Sequence, residues 1–281
     1  MILIVDSGST KADWMFIKKN GEKILHQTMG FNPYFHDHIR IALELNLESF
    51  TSVIPLREVE KIYFYGAGCP DDFYKDKMRN SLAFVFPKAS IEVAHDLLGA
   101  ARAACGKSPG IAAILGTGSN SCLYDGKNII DNIPALAHVL GDEGGGVHLG
   151  KLTLQAYFYR ELPSDLLDAF HQMYPIGQDD IIHKIYSEGQ NVYLASFAQF
   201  LVKYREHPFA KSLIKKSFNE FISRHVKKYK NAHQLPINFV GSIADILKHE
   251  LSEVMEEEKL LMGKIIRKPI EALAQYHEIR T

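Results

Sequence analysis

The first chemically capable group in the chain is a carboxylate at the end of an apolar run, followed by a turn of glycine and hydroxyl residues. Ile2–Val5 is apolar, Asp6 follows, and Ser7-Gly8-Ser9-Thr10-Lys11 interrupts the run before it resumes through Trp14, Phe16 and Ile17. Such a turn aims backbone N–H groups outward with no Cβ in the way, so it can wrap phosphate oxygens, while Asp6 could hold a hydrated Mg²⁺. Alone, the stretch is equally an ordinary hairpin turn. A second copy breaks the tie. Ile111–Leu115 leads into Gly116-Thr117-Gly118-Ser119 and another strand-like run. Laying Ser7 on Thr117 puts Trp14 on Tyr124, and both copies then reach an x-Gly turn, Asn20-Gly21 and Asp125-Gly126, that would open a further hairpin. Two matching hairpins in two halves point to an internal duplication, with a phosphate chain held by two such turns.

Four further groups have chemistry within reach. Asp96 stands between a short strand, Ser90–His95, and the helix-forming run LLGAARAAC; the carboxyl end of a strand is where ligands sit in an open α/β sheet, although a helix N-cap is the plain alternative. Leu140-Gly141-Asp142-Glu143-Gly144-Gly145-Gly146 leads into a helix-like run from Val147 to Arg160. It reads as a loop that other atoms can approach closely, or as an acidic loop with Glu143 capping the helix. Ile237–Val240 ends in Gly241-Ser242 before another helix, a plausible nucleotide seat. Asn32 lies in Gly30-Phe31-Asn32-Pro33, where an Asn-Pro turn explains it equally well. His36 and His38 flank Asp37, but residues two apart do not face each other on a helix, so no metal site is expected there.

These residues need elements to position them. The pattern predicts a third strand over 22–29 and a helix over 36–50 with Ile39, Leu43, Leu47 and Phe50 on one face. It then predicts a strand at Lys61–Gly66 and a helix over 72–85 capped by Asp71. A turn-rich junction, Lys107-Ser108-Pro109-Gly110, precedes the second hairpin. From 164 to 230 the reading is almost wholly helical. Its segment 210–230 carries Leu213, Ile214, Phe218, Phe221, Ile222 and Val226 inward, with Lys215, Lys216, Lys227 and Lys228 on a solvated face. A last helix follows Pro269.

The 281 residues are comfortable for two lobes, and the composition, 46% hydrophobic and 23% charged, is that of a globular protein. With 32 basic against 33 acidic residues, nothing global favours nucleic acid or an anionic membrane, so a small molecule is the expected partner. Cys69, Cys105 and Cys122 show neither metal-site spacing nor an even count, which fits a reducing cytoplasm. No stretch approaches the ~18 apolar residues of a membrane span.

Taken together and in order, DSGSTK, AHD, LGTGSN, LGDEGGG and VGS resemble the motif set of the sugar kinase/heat-shock/actin ATPase superfamily. Within it the chain more closely resembles N-acetylglucosamine kinase and the related BadF/BadG/BcrA/BcrD-type ATPase domain, from residue 1 to about residue 277. The resemblance implies an α/β, two-lobed actin-like ATPase (ribonuclease H-like) fold with a duplicated core and helical additions in the second lobe. The lobes would span 1–108 and 109–281, the last helix packing back on the first lobe. By position, Asp6 is the metal-associated acid and Asp96 the catalytic acid. Ser7, Gly8, Ser9, Thr10 and Lys11 form one phosphate turn, and Gly116, Thr117 and Gly118 the other. Gly241 and Ser242 fall on the adenosine side, and Asn32, Ser119, Asn120 and Asp142 contact the sugar.

The implied activity is an ATP- and Mg²⁺-dependent kinase acting on a hydroxyl of an amino sugar, N-acetylglucosamine to its 6-phosphate first. Glucosamine, other hexoses and muramic-type sugars remain open. The alternative is a BadF-type ATPase serving as a nucleotide-driven activator, against which the three scattered cysteines speak. A sugar-responsive regulator fits poorly, because the phosphate motif begins at once and the net charge is near zero. A homodimer is the default assembly.

Overall fold

Each hairpin opens a five-stranded mixed sheet, and the two sheets repeat one topology. The computed structural model describes residues 1–278 other than 9, 35, 176 and 188. In it, β1 (Ile2–Ser7), β2 (Lys11–Ile17), β3 (Lys23–Met29), β4 (Lys61–Gly66) and β5 (Ser90–His95) lie in the order β3-β2-β1-β4-β5. Strands β6 (Gly110–Leu115), β7 (Ser119–Tyr124), β8 (Ile129–Asp131), β9 (Ile237–Val240) and β10 (Met262–Ile266) lie in the order β10-β9-β6-β7-β8. In both sheets the first three strands form an antiparallel meander and the last two run parallel to the first. The chain divides into two compact units, Met1–Lys107 joined by the segment from Lys268 onward, and Ser108–Arg267.

Strand pairing corrects the register of the duplication. Ser7 pairs with Ala12 across the first turn and Leu115 with Ser119 across the second, so Ser7 matches Leu115 rather than Thr117. Trp14, opposite Val5, matches Ser121, opposite Ala113, rather than Tyr124. The first turn is one residue longer, and matching by turn composition alone slides the strands past each other.

In the first unit β1 is central and buried on both faces, which is why it is a continuous apolar run. On one face Leu3, Val5, Trp14, Phe16 and Phe64 pack with Ile41, Leu45, Met78 and Leu82 of the helices His38–Leu45 and Asp72–Val85. The second of these matches the expected helix, and Asp71 caps it by accepting from the Tyr74 amide at 3.1 Å. The first does not match: it starts at its Asp37 cap, ends at Asn46, and turns Ile41, Ala42 and Leu45 inward. Ile39, Leu43 and Leu47 are 57%, 66% and 49% exposed, and Phe50 reaches the core from the separate turn Glu48–Thr51. On the other sheet face Ile4, Met15, Ile17, Tyr63 and Tyr65 meet Ala103 of the helix Asp96–Cys105 and Ile270, Leu273 and Ala274 of the helix Ile270–Glu278.

The second unit has the larger core. Strands β6, β7 and β9 contribute Ile111, Leu115, Leu123 and Phe239, and the helices that follow residue 146 contribute Phe170, Phe197, Phe200, Phe218 and Phe221. The lysines on Pro208–Arg224 are not simply solvated. Lys211 meets Glu253 at 2.7 Å and Lys215 pairs with Glu257, so the basic face is matched to the acidic helix Lys248–Glu257. Strand β10 had no clear signal: Gly263 and Lys264 interrupt its apolar residues, and its place is fixed by a distant group, Asn238 Oδ1, accepting from the Lys264 amide at 2.9 Å. No helix among the described residues is long and apolar enough to cross a membrane.

Candidate active site

Strands β1, β4 and β5 are parallel and in register, so their carboxyl ends bring Asp6-Ser7, Gly66 and His95-Asp96 to one end of the first sheet. Asp13 is the antiparallel partner of Asp6, and directly opposed residues share a face. Burial first, then the charges of Asp96 and Asp13, push the Asp6 carboxyl up to about 7, against the opposing pull of Lys268. Asp96 is the first residue of its helix, and His95 is the cap. His95 Nδ1 lies 3.2 Å from the Leu97 amide and 2.9 Å from Asp96 Oδ1. The neutral ring can accept from the amide; the protonated ring donates to the carboxylate. Burial lowers the His95 pKa, but the hydrogen bond and charge of Asp96 together lift it above its usual value. Beyond that contact, Asp96 Oδ1 is buried with no hydrogen-bond partner among the described residues.

The rest of the first-unit set divides into backbone and side-chain roles. The Ser7 hydroxyl is fully buried and committed to Phe31, accepting from its amide at 2.8 Å and donating to its carbonyl at 3.3 Å. Ser7 therefore has only its backbone to offer. The Gly8 amide donates to Lys11 O at 3.0 Å, closing the turn, and Thr10 and Lys11 are exposed. Ser9 lies outside the described residues. Asn32 Oδ1 accepts from the Tyr34 amide at 2.9 Å, so the residue does form an Asx turn. Gly68 packs on the Asn32 side chain, and the next residue, buried Cys69, has its thiol pushed up to about 12 by burial and by the charge of Asp96. The Asn32 loop and Asp96 thus meet at the same end of the sheet.

The second unit gathers its expected residues more tightly. The turn closes through a Gly116 amide donating to Gly118 O at 3.0 Å, and the amides of Gly146 and Val147 donate to the carbonyls of Gly116 and Thr117, each at 2.8 Å. The acidic glycine loop is therefore bolted to the turn Gly116–Gly118. A Cβ on Gly145 would stand 2.7 Å from the Gly118 carbonyl, so only glycine permits this approach. Asp142, in the left-handed region at φ 63°, accepts from the Ser119 amide on Oδ1 at 3.1 Å. Burial raises its pKa, offset in part by that amide, Lys151 and His138. Ser119 Oγ is buried with no partner among the described residues. Asn120 Oδ1 is taken by the Ser121 amide at 2.9 Å and Asn132 Nδ2 at 3.2 Å. Gly241, at φ 125°, backs onto Leu115 O, which sets Gly241-Ser242 beside the same turn.

Glu143 does not cap the helix Gly146–Phe158, whose N-cap is Gly145. It pairs with Arg224 and, at 3.5 Å, with His225. Burial alone would raise its carboxyl, but hydrogen bonds from its own amide, Arg224 and His225 hold it below the usual glutamate range. Lys151 Nζ bridges the carbonyls of His138 and Gly141 at 3.0 and 3.1 Å, fixing the loop ahead of Asp142. Neither Lys151 nor Asp13 stood out in the sequence. Asp13 had a signal, since a hairpin closing on Ser7 and Ala12 must place it opposite Asp6.

A divalent cation fits the first-unit group. Asp6 is a carboxylate kept reluctant to ionise by burial first and then by the charges of Asp96 and Asp13, a condition that a cation relieves. Among the described residues no three His, Cys, Asp or Glu side chains converge to hold an ion. An ion at Asp6 would take most of its oxygens from water and phosphate, as Mg²⁺ ordinarily does.

No family model matches the chain, and no curated protein matches it. Among solved structures it is similar to a candidate N-acetylglucosamine kinase from Porphyromonas gingivalis, at 41% identity over 99% of each chain with a TM-score of 0.93. A candidate N-acetylglucosamine kinase from Chromobacterium violaceum is 17% identical over 98% of each chain, with a TM-score of 0.70. A hexokinase from Schistosoma mansoni complexed with glucose is 10% identical over 98% of this chain and 84% of that one, with a TM-score of 0.51. The last two share the fold.

Proposed function

Because the chain belongs to the N-acetylglucosamine kinase-like family of the sugar kinase/heat-shock/actin superfamily, we propose that it is an ATP-dependent kinase phosphorylating an amino sugar, with N-acetylglucosamine converted to its 6-phosphate. The observation that carries the reaction type is Asp96. Among the described residues its buried Oδ1 has no partner beyond His95, and it shares the sheet end with Asp6, which suits a base that must accept a proton from a hydroxyl. The choice of sugar is supported by the name of the 41% identical candidate kinase to which the chain is similar.

Asp96 orients the acceptor hydroxyl and takes its proton as the new O–P bond forms and the bond to the ADP leaving oxygen breaks. Asp6 would hold Mg²⁺, which would supply positive charge against that developing on the phosphates. Backbone amides not used in closing the turn at Gly8 and the turn Gly116–Gly118 would donate to phosphate oxygens. Gly241-Ser242 takes the adenosine side. Asp142, with Oδ1 occupied by the Ser119 amide, offers Oδ2 to sugar hydroxyls; Ser119 Oγ offers an uncommitted hydroxyl, and Asn120 its Nδ2 donor. Three thiols without a shared cluster and a need for ATP suit the cytoplasm.

The test is Mg²⁺-dependent ADP release by wild type and Asp96→Asn, without sugar and with N-acetylglucosamine, glucosamine, glucose or N-acetylmuramic acid. Release should rise strongly with N-acetylglucosamine, with a phosphorylated sugar detected by mass spectrometry, and Asp96→Asn should turn over roughly two to four orders of magnitude more slowly while melting like wild type. Sugar-independent release would overturn the kinase reading in favour of a nucleotide switch. Near-normal turnover in Asp96→Asn would remove Asp96 from the base role.

A further inference from the structure

The carboxylates at the first turn have a cation of the chain's own facing them. Asp13 Oδ1 accepts from Gln27 Nε2 at 2.6 Å and from Lys268 Nζ at 3.1 Å. Asp13 lies opposite Asp6 on the same sheet face, and Asp96 follows β5, two strands along from β1, so Asp6 feels the charges of both carboxylates and of this ammonium. Lys268 is not on a loose tail. It immediately precedes Pro269 and the helix Ile270–Glu278, whose Ile270 and Leu273 are buried and whose His277 stacks on Tyr63 at 3.5 Å and meets Tyr65 Oη at 2.7 Å. The ammonium is thus carried to the cluster by a packed helix from the far end of the sequence. Its side chain remains half exposed, so it can swing away at little cost.

We propose that Lys268 is a tethered counter-ion, which neutralises Asp13 beside Asp6 while no divalent cation is bound and competes with that cation for this carboxylate pair. The inference rests on the reading of Asp6 as the metal-associated acid. Two positive charges cannot both sit against the same carboxylates without repelling each other, so the ion binds by displacing the ammonium. Lys268 keeps the cluster from standing uncompensated in the ligand-free protein, at the expense of affinity for the ion.

Mn²⁺ alone is titrated into nucleotide-free protein and free ion is followed by its paramagnetic signal. Lys268→Gln should bind the ion roughly three- to tenfold more tightly than wild type, as expected for removing one screened charge a few ångströms away, and Lys268→Arg should stay within about twofold. Without metal, Lys268→Gln should melt below wild type and gain more on Mn²⁺ addition. Should Lys268→Gln fail to fold, Lys268→Met keeps the aliphatic stem and tests the same charge. Equal or weaker Mn²⁺ binding by the neutral variant overturns the proposal, and weaker ADP binding with unchanged Mn²⁺ binding overturns it in favour of a phosphate ligand. Asp6→Asn separates the two layers. If it binds Mn²⁺ as wild type does, the reading of Asp6 fails; if it loses the ion while Lys268→Gln matches wild type, only the counter-ion fails.

Discussion

At the scale of single residues, the site is a set of groups held in unfavourable surroundings for a purpose. Asp6 shows the sign of the effect. Its folded pKa, about 7, lies above the ordinary carboxylate value of 3.8, so between these values the folded protein holds a proton that the unfolded chain has released. Stability contributed by the neutral acid is therefore full below about pH 4, falls as pH rises, and is gone above about pH 7. The ceiling on this loss is on the order of 4 kcal/mol, from ~1.4 kcal/mol per tenfold change in proton affinity. Urea midpoints of nucleotide- and metal-free protein between about pH 4.5 and 8 should fall with pH, and Asp6→Asn should flatten that part of the slope and gain on wild type at the alkaline end. Saturating Mg²⁺ should flatten the wild-type slope and leave the variant unmoved. An Asp6→Asn slope identical to wild type would place the strained proton on another group. Asp6 stood out in the sequence because it directly follows an apolar run, and Asp96 because it stands between a short strand and a helix; Lys268 did not, since no local pattern ties it to Asp13.

At the scale of elements, what positions the chemistry in the second unit is one turn pressed on the start of one helix. The amides of Gly146 and Val147 are the unpaired donors that every helix N-terminus carries, and here they are spent on the carbonyls of Gly116 and Thr117. The contact exists only because Gly145 has no side chain, and the loop is held from behind by Ser217, which accepts from the Gly144 amide at 3.1 Å, and by Glu143 with Arg224 and His225. Gly145→Ala should force turn and helix apart, costing about 1–3 kcal/mol as overpacking does, and should lower kcat/KM for ATP more than the loss of folded protein explains. Thermal melting with steady-state kinetics on the folded fraction checks it; unchanged kcat/KM would mean the turn tolerates the shift. The motif LGDEGGG was visible as a close-approach loop, but the surface it approaches lies beyond sequence inspection. So does the role of Glu143, whose partners are contributed by a helix some eighty residues on. The helix His38–Leu45 shows the opposite limit: Asp37 and Asn46 bound it, and its inward face is decided by the helix it packs on, not by the most apolar-looking stripe.

At the scale of the whole molecule, the duplication was legible as two hairpins, and it extends to all ten strands, but the repeats are completed differently. The second unit covers its sheet with helices drawn from its own span, and among the described residues its core includes none after Ile265. The first unit leaves one sheet face, Ile4, Met15, Ile17, Tyr63 and Tyr65, to be covered by the helix Asp96–Cys105 and by a helix that arrives only after the second unit is finished. Removing residues 268–281 therefore has an uneven effect. Ile270, Leu273 and Tyr276 are each at most 5% exposed, and at about 1.5–3 kcal/mol per buried large apolar side chain their loss removes roughly 5–9 kcal/mol, comparable with the whole stability of an ordinary domain. The truncated protein should lose amide protection in β1, β2 and β4, and with it ion binding at Asp6, while β6, β9 and the helix Pro208–Arg224 keep theirs. Hydrogen exchange resolved by peptide checks this directly. Protection retained in β1 would mean that the helix Asp96–Cys105 alone seals that face, and loss spread equally over both sheets would mean that the two units stand or fall as one cooperative structure despite their separate cores.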